Sequence, residues 1–299
     1  MQIVTDQGMD LSPEQSEGLN IQYVPLKITL DGRTFIGAED IDYVTFYKML
    51  QATKSFPTTS QPSPGDFAEK YRQLAKKDPD ILSIHISSGL SGTVNSARLG
   101  AEMVPEANVT VYDSKTLSCM LGWQVQAAAQ ALKAGWYLGD ILKLLDQIRE
   151  KTEAMFTLAD LKYLIHGGRI SHLKGLMGSV LNIKPVIGVA AKTDGKYFPL
   201  GQEFSFNKAI RKLATIISDK FSRDTVIRVQ LMHGDNPLGV ELLREQLLLK
   251  NECVFESVVP VAPLLGAHTG ASVVGISVAP LDIFLHPDLN LLPSVAVAA

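Results

Sequence analysis

The sequence predicts an α/β protein in two parts, a parallel-sheet domain followed by a mixed α+β domain. Three observations carry that prediction. Short apolar runs alternate with helical patterns through the first half, as βαβα units do. Proline-led helix caps punctuate that alternation. After about residue 153 the order changes, and an Asp194-Gly195 pair between two strand-like runs reads as a hairpin turn. The boundaries read from these changes are 1–153, 154–280 and a C-terminal extension, 281–299.

Ile3-Val4 opens the first strand, and Ser12-Pro13 with Gln15 has the form of a capping box. Ser63-Pro64-Gly65-Asp66 repeats that form with an aspartate, and Phe67, Tyr71 and Leu74 supply the apolar stripe of the helix it starts. Residues 81–86, "ILSIHI", read as a buried strand, and 109–113, "VTVYD", as another. A helix is expected from Val94. Leu121, Val125, Ala128 and Leu132 form a further stripe ending near Gly135, and Ile141, Leu144, Leu145 and Ile148 form the next. In the second part, strands are expected at 155–158, 184–189, 226–232 (alternating), within 254–259 and within 272–278. Helices are expected around Ile210–Ile217 and after Asn236-Pro237. The tail "LDIFLHPDLNLLPSVAVAA" is apolar but aperiodic.

The chain has 299 residues, 46% hydrophobic and 20% charged, with a net charge of −3. That balance and the absence of a basic stripe argue against nucleic-acid binding. Cys119 and Cys253 stand apart with neither CxxC nor histidine partners, and read as reduced, buried thiols. No histidine pair has metal-ligand spacing, so no metal is expected. Neither a signal-peptide pattern nor a membrane-length apolar run is present, and a cytoplasmic location is expected.

Four segments gather small polar residues. Thr58-Thr59-Ser60 holds neither a helix nor a strand pattern. "SSGLSGT" (87–93) follows a strand and precedes a helix, a turn suited to phosphate or carboxylate. Its serines could equally cap that helix. Ser91 as a hydrolase nucleophile is the third reading, but Gly89-Leu90-Ser91-Gly92 is one residue short of G-x-S-x-G and no base is marked for it. "HGGRIS" (166–171) aims Arg169 from a glycine turn, toward an anion or a structural salt bridge. "GAHTG" (266–270) reads as a loop whose His268 donates to an anion or is simply solvated.

In order, "IVTD…DL", "TTSQPSPGDF", "ISSGLSGTVNSA", "VYDSKTLS", "YLIHGGRI", "LNIKPVIGV" and "GAHTG" resemble the DegV family of bacterial fatty-acid-binding proteins, from Ile3 to about Val278. The resemblance implies a two-domain DegV-like fold with a ligand tunnel at the domain interface and a bound long-chain fatty acid. It would place Thr59 and Ser91 at the carboxylate, helped by Ser60 and Gly92, with Arg169, His268 and Thr269 in support from the second domain. It implies no catalytic residue, no cofactor beyond the lipid, a fatty-acid kinase catalytic subunit as partner, and at most transient membrane contact. Departures lie in "TDQGMDL", where Gln7 and Gly8 replace two hydroxyls, and in "GAHTGASVVG". Three alternatives stay open: a serine acyl hydrolase, a phosphotransferase subunit that holds a small ligand through His268, and a ligand-sensing regulator.

Overall fold

The continuous apolar runs of the first part pair in parallel. In the computed structural model, which describes residues 1–173 and 182–292, β1 (Gln2–Asp6), β2 (Ile21–Val24), β6 (Asp80–His85) and β7 (Asn108–Asp113) form a sheet of order β2-β1-β6-β7. A three-stranded antiparallel sheet, unforeseen in the sequence, sits beside it: β3 (Lys27–Leu30) between β4 (Arg33–Ile36) and β5 (Thr58–Ser60). Thr58-Thr59-Ser60 is therefore a strand. Three residues are too few to show a period, and its partner lies about thirty positions earlier, so only pairing defines it.

The second part forms one mixed sheet. β8 (Glu153–Thr157), β9 (Lys184–Val189) and β10 (Tyr197–Glu203) run antiparallel in succession. β14 (Val274–Pro280) joins β8 to β11 (Ile227–His233), and β12 (Cys253–Phe255) and β13 (Val259–Pro260) lie parallel to β11. The Asp194-Gly195 turn connects β9 to β10 with both residues in the left-handed region. Antiparallel pairing begins earlier than that turn, between β8 and β9. The alternation expected in 226–232 is absent: Ile227–Met232 is buried throughout, because β11 is an inner strand covered on both faces.

Both expected capping boxes form. Ser12 and Ser63 accept from the backbone N–H of Gln15 and Asp66, whose side chains accept in turn from the cap N–H groups. Helix Phe206–Lys220 buries Ala209, Ile210, Leu213, Ala214 and Ile217 against the mixed sheet, each large side chain contributing roughly 1.5–3 kcal/mol.

Helix Ser118–Lys133 differs, being buried almost all round. Its Leu121, Trp123 and Val125 share one apolar cluster with Ile3, Leu82 and Ile84 of the parallel sheet and with Ala154, Phe156 and Ile187 of the mixed sheet. The two sheets thus share a core. Cys119 is buried there, whereas Cys253, expected to be buried, is only half-buried on β12, at the sheet margin.

The start of the expected extension is ordered on this core. Phe284 and Trp123 flank the buried Arg228 guanidinium, at 4.3 and 4.4 Å, and Arg228 pairs with Glu256 at 2.6 Å. His286 meets the Trp136 ring edge-on at 4.6 Å. Residues 293–299 of that expectation lie outside the described residues.

Candidate functional site

Thr59 and His268, 209 positions apart, meet in a hydrogen bond of 2.8 Å between Oγ1 and Nε2. β5 supplies Thr59, half-buried between the exposed Thr58 and Ser60. His268 comes from an α-helix, Pro263–Thr269, and not from a loop as expected. Pro263 opens the helix, and Gly270, at φ 76°, ends it. The helix packs Leu264 and Ala267 against Leu26, just before β3, Ile28 of β3 and Phe46 of helix Tyr43–Ala52. That packing makes His268 a buried histidine, 8% exposed.

Burial, then the Arg169 charge, push the His268 pKa down to about 4, so the ring is neutral at pH 7. Its Nδ1 is buried without a hydrogen-bond partner. Orphaned acceptors are tolerated better than orphaned donors, which assigns the proton to Nε2. His268 then donates to Thr59, whose hydroxyl proton is free for a ligand. Gly167 allows this arrangement: a Cβ there would lie 2.1 Å from Nδ1.

Ser91, Gly92 and Arg169 meet in a second place, a polar cleft of 280 Å³ lined also by Ser88, Gly89 and Ser171. Arg169 Nη1 donates to the Gly167 carbonyl at 2.7 Å, which ties the cleft to the glycine beneath His268. The N-cap of helix Thr93–Glu102 is Gly92, without a side-chain bond, but Ser91 Oγ accepts from the first helical N–H, that of Thr93, at 3.4 Å. Ser91 Oγ also lies 2.8 Å from Thr93 Oγ1. Gly92 is pressed by Gln61, the residue after β5: a Cβ at Gly92 would lie 2.3 Å from Gln61 Oε1. The Thr59 strand and the Ser91 loop are thus adjacent, although no hydrogen bond joins Thr59 to Ser91. Of the departures in the first loop, Gln7 accepts from Leu26 N–H at 3.3 Å, and Gly8 donates to Asp6 at 2.7 Å.

Thr269 turns away from the mouth. It is buried, donates to the Leu265 carbonyl at 3.1 Å, and lines an apolar cavity with Leu117, Phe156, Tyr197, Met232 and Leu265. That cavity encloses 30 Å³, well below the few hundred of a ligand pocket.

Sequence reasoning missed two polar groups. Asp6, His85, Ser83 and Tyr71 form a chain of hydrogen bonds at 3.0, 2.6 and 2.8 Å. It has the residue types of a hydrolase triad, yet all four are fully buried and line neither the polar cleft nor the apolar cavity. Asp10 is the other, buried beside the apolar cavity with Ser118. No helix among the described residues is long and apolar enough to cross a membrane.

The chain as a whole is similar to known proteins. The model of the DegV family, described as "Uncharacterised protein, DegV family", matches residues 1–281. A DegV domain-containing protein of Staphylococcus aureus strain N315 is 34% identical over 276 residues, covering 92% of this chain and 97% of its own. Among solved structures, a DegV family protein from Thermus thermophilus, described by its fatty acid binding, is 30% identical with a TM-score of 0.83, covering 94% of this chain and 99% of its own. A Streptococcus pneumoniae fatty acid kinase B3 protein loaded with linoleic acid shares the fold at 20% identity and TM-score 0.77, covering 93% and 99%.

Proposed function

The chain belongs to the DegV family, and on that premise we propose that it binds a long-chain fatty acid and presents the carboxylate to a fatty-acid kinase for conversion to acyl phosphate. One observation supports the reading: a single helix, Pro263–Thr269, bonds Thr59 through His268 and lines the apolar cavity with Leu265 and Thr269. Head and tail of an amphiphile are addressed by adjacent residues. The Thr59 hydroxyl donates to the carboxylate, oriented by His268. Ser91, Arg169 and the backbone of Ser60 and Gly92 complete the mouth on the cleft side. Hydroxyl and backbone donors beside a single arginine hold the acid without enclosing it, which suits a group that must be handed to a second active site. Affinity comes from the chain, at about 0.8 kcal/mol per buried methylene.

Hydrolysis has less support. Ser91 is bonded to Thr93 and His268 to Thr59, so neither is a partner of the other. Cytoplasmic residence accords with an intracellular kinase partner.

Native mass spectrometry of the purified protein, followed by lipid extraction, tests the binding step. One fatty acid per chain is the expected result; a chain that carries none and refuses added fatty acid overturns the reading. Incubation with a fatty-acid kinase catalytic subunit and ATP tests presentation, through acyl phosphate that forms only when this chain is present.

A further inference from the structure

The wall of the apolar cavity contains an apolar side chain, Met232, held by a polar contact. Met232, on β11, stands directly opposite Gly275 of β14 in the sheet register. The missing side chain makes its berth: a Cβ at Gly275 would lie 2.9 Å from Met232 Cγ and 3.3 Å from Sδ. Methionine is the most adaptable apolar side chain and would normally wander in such a slot. Here Ser118 Oγ lies 3.0 Å from Met232 Sδ. Ser118 is itself held in the left-handed region, at φ 57°, with its N–H bonded to the Gly8 carbonyl at 2.6 Å. Its Oγ also lies 2.6 Å from Asp10 Oδ2, and Asp10 Oδ1 accepts from Ala262 N–H at 3.0 Å.

Ser118 has one hydroxyl proton and two acceptors facing it. Both contacts are hydrogen bonds only when Asp10 is protonated, with Asp10 donating to Ser118 and Ser118 donating to Met232. With Asp10 ionised, the carboxylate accepts the Ser118 hydrogen bond and the sulfur loses its donor. We propose that Met232, positioned by Ser118 and Asp10, limits the length of acyl chain the cavity accepts. This rests on the fatty-acid reading above and names the residue that sets its chain-length preference.

Burial raises the Asp10 pKa to about 7, so the carboxyl changes state in the physiological range. The ionisable groups facing it from neighbouring elements are Tyr47 and Cys119, both pushed up by burial and by Asp10 itself, and so neutral there. Asp10 is thus the titrating member of the group. Removing Cγ, Sδ and Cε of Met232 makes room for two or three methylenes, and each methylene admitted or excluded changes affinity about fourfold.

The test loads the full chain with an equimolar mixture of palmitic and arachidic acids and reads the bound ratio by native mass spectrometry. A ratio cancels the effect of pH on the acids themselves. Met232→Ala is expected to raise the arachidic-to-palmitic ratio by roughly tenfold or more. Gly275→Ala, which drives Met232 off its berth into the cavity, is expected to lower it. These opposite shifts keep the test decisive if one variant folds poorly. In the wild type the ratio is expected to rise about twofold or more from pH 6 to pH 8. It should stay low and flat in Asp10→Asn, which keeps a donor toward Ser118, and high and flat in Ser118→Ala. An unchanged ratio in folded Met232→Ala and Gly275→Ala overturns the role of Met232. A shifted ratio in those variants with a pH-independent wild type overturns the positioning by Asp10. A wild type that takes up neither acid is a different result, and overturns the fatty-acid reading itself.

Discussion

Thr59 and His268 illustrate how far single residues were legible. The three adjacent hydroxyls at 58–60 were visible as a polar anomaly that marked the segment, while Thr59 itself came from the family resemblance. The glycines around His268 pointed to a loop, but Pro263 and Gly270 are the start and stop signals of a short helix. Asp10 and Ser118 both stand in the quoted motifs, but their pairing was beyond reach because 108 positions separate them. Thr59→Ala should release bound fatty acid during purification and leave His268 Nε2 buried without a partner, at a cost of about 1–3 kcal/mol in urea unfolding. Thr59→Ser should restore both. Full lipid retention in the alanine variant would remove Thr59 from the head-group site.

Elements were read more securely than their neighbours were. The Asp194-Gly195 pair marked its turn unambiguously, since Gly and Asp tolerate the left-handed conformation. What the turn touches was not legible. A Cβ at Gly195 would lie 2.0 Å from Ser87 Oγ and 2.9 Å from the Lys115 backbone, so the hairpin of the mixed sheet is seated on the glycine loop of the parallel sheet. The Lys115–Asp194 ion pair, 2.6 Å, adds little because Asp194 is largely exposed. Fit rather than charge holds this joint. Gly195→Ala combines a left-handed alanine with overpacking and should cost about 3 kcal/mol. Gly135→Ala, also at positive φ but with open space around it, should cost only about 1 kcal/mol. Equal urea midpoints for the two variants would show that the hairpin does not bear on the loop.

At the scale of the molecule, two buried ionisable groups act in opposition. The His268 pKa falls from 6.5 to about 4 on folding, so its contribution is present above pH 6.5 and is lost as pH falls toward 4. The Asp10 pKa rises from 3.8 to about 7, so its contribution is present below about pH 4 and is lost as pH rises toward 7. Between pH 4 and 6.5 their slopes have opposite signs and offset each other. Thermal unfolding of Asp10→Asn should therefore show stability rising with pH across that window, and His268→Asn stability falling, each by up to about 1.4 kcal/mol per pH unit. Parallel profiles for the two variants would refute the opposition. The helix Ser118–Lys133 was legible as an apolar stripe, but its role in giving the two sheets a common core was not, since pattern reports burial and not what does the burying. The C-terminal segment on that core has a practical consequence. The chain has two tryptophans, Trp123 and Trp136, and both rest against it, through Phe284 and His286. Their intrinsic fluorescence is therefore a built-in reporter of whether the C-terminal segment is docked, readable without a label.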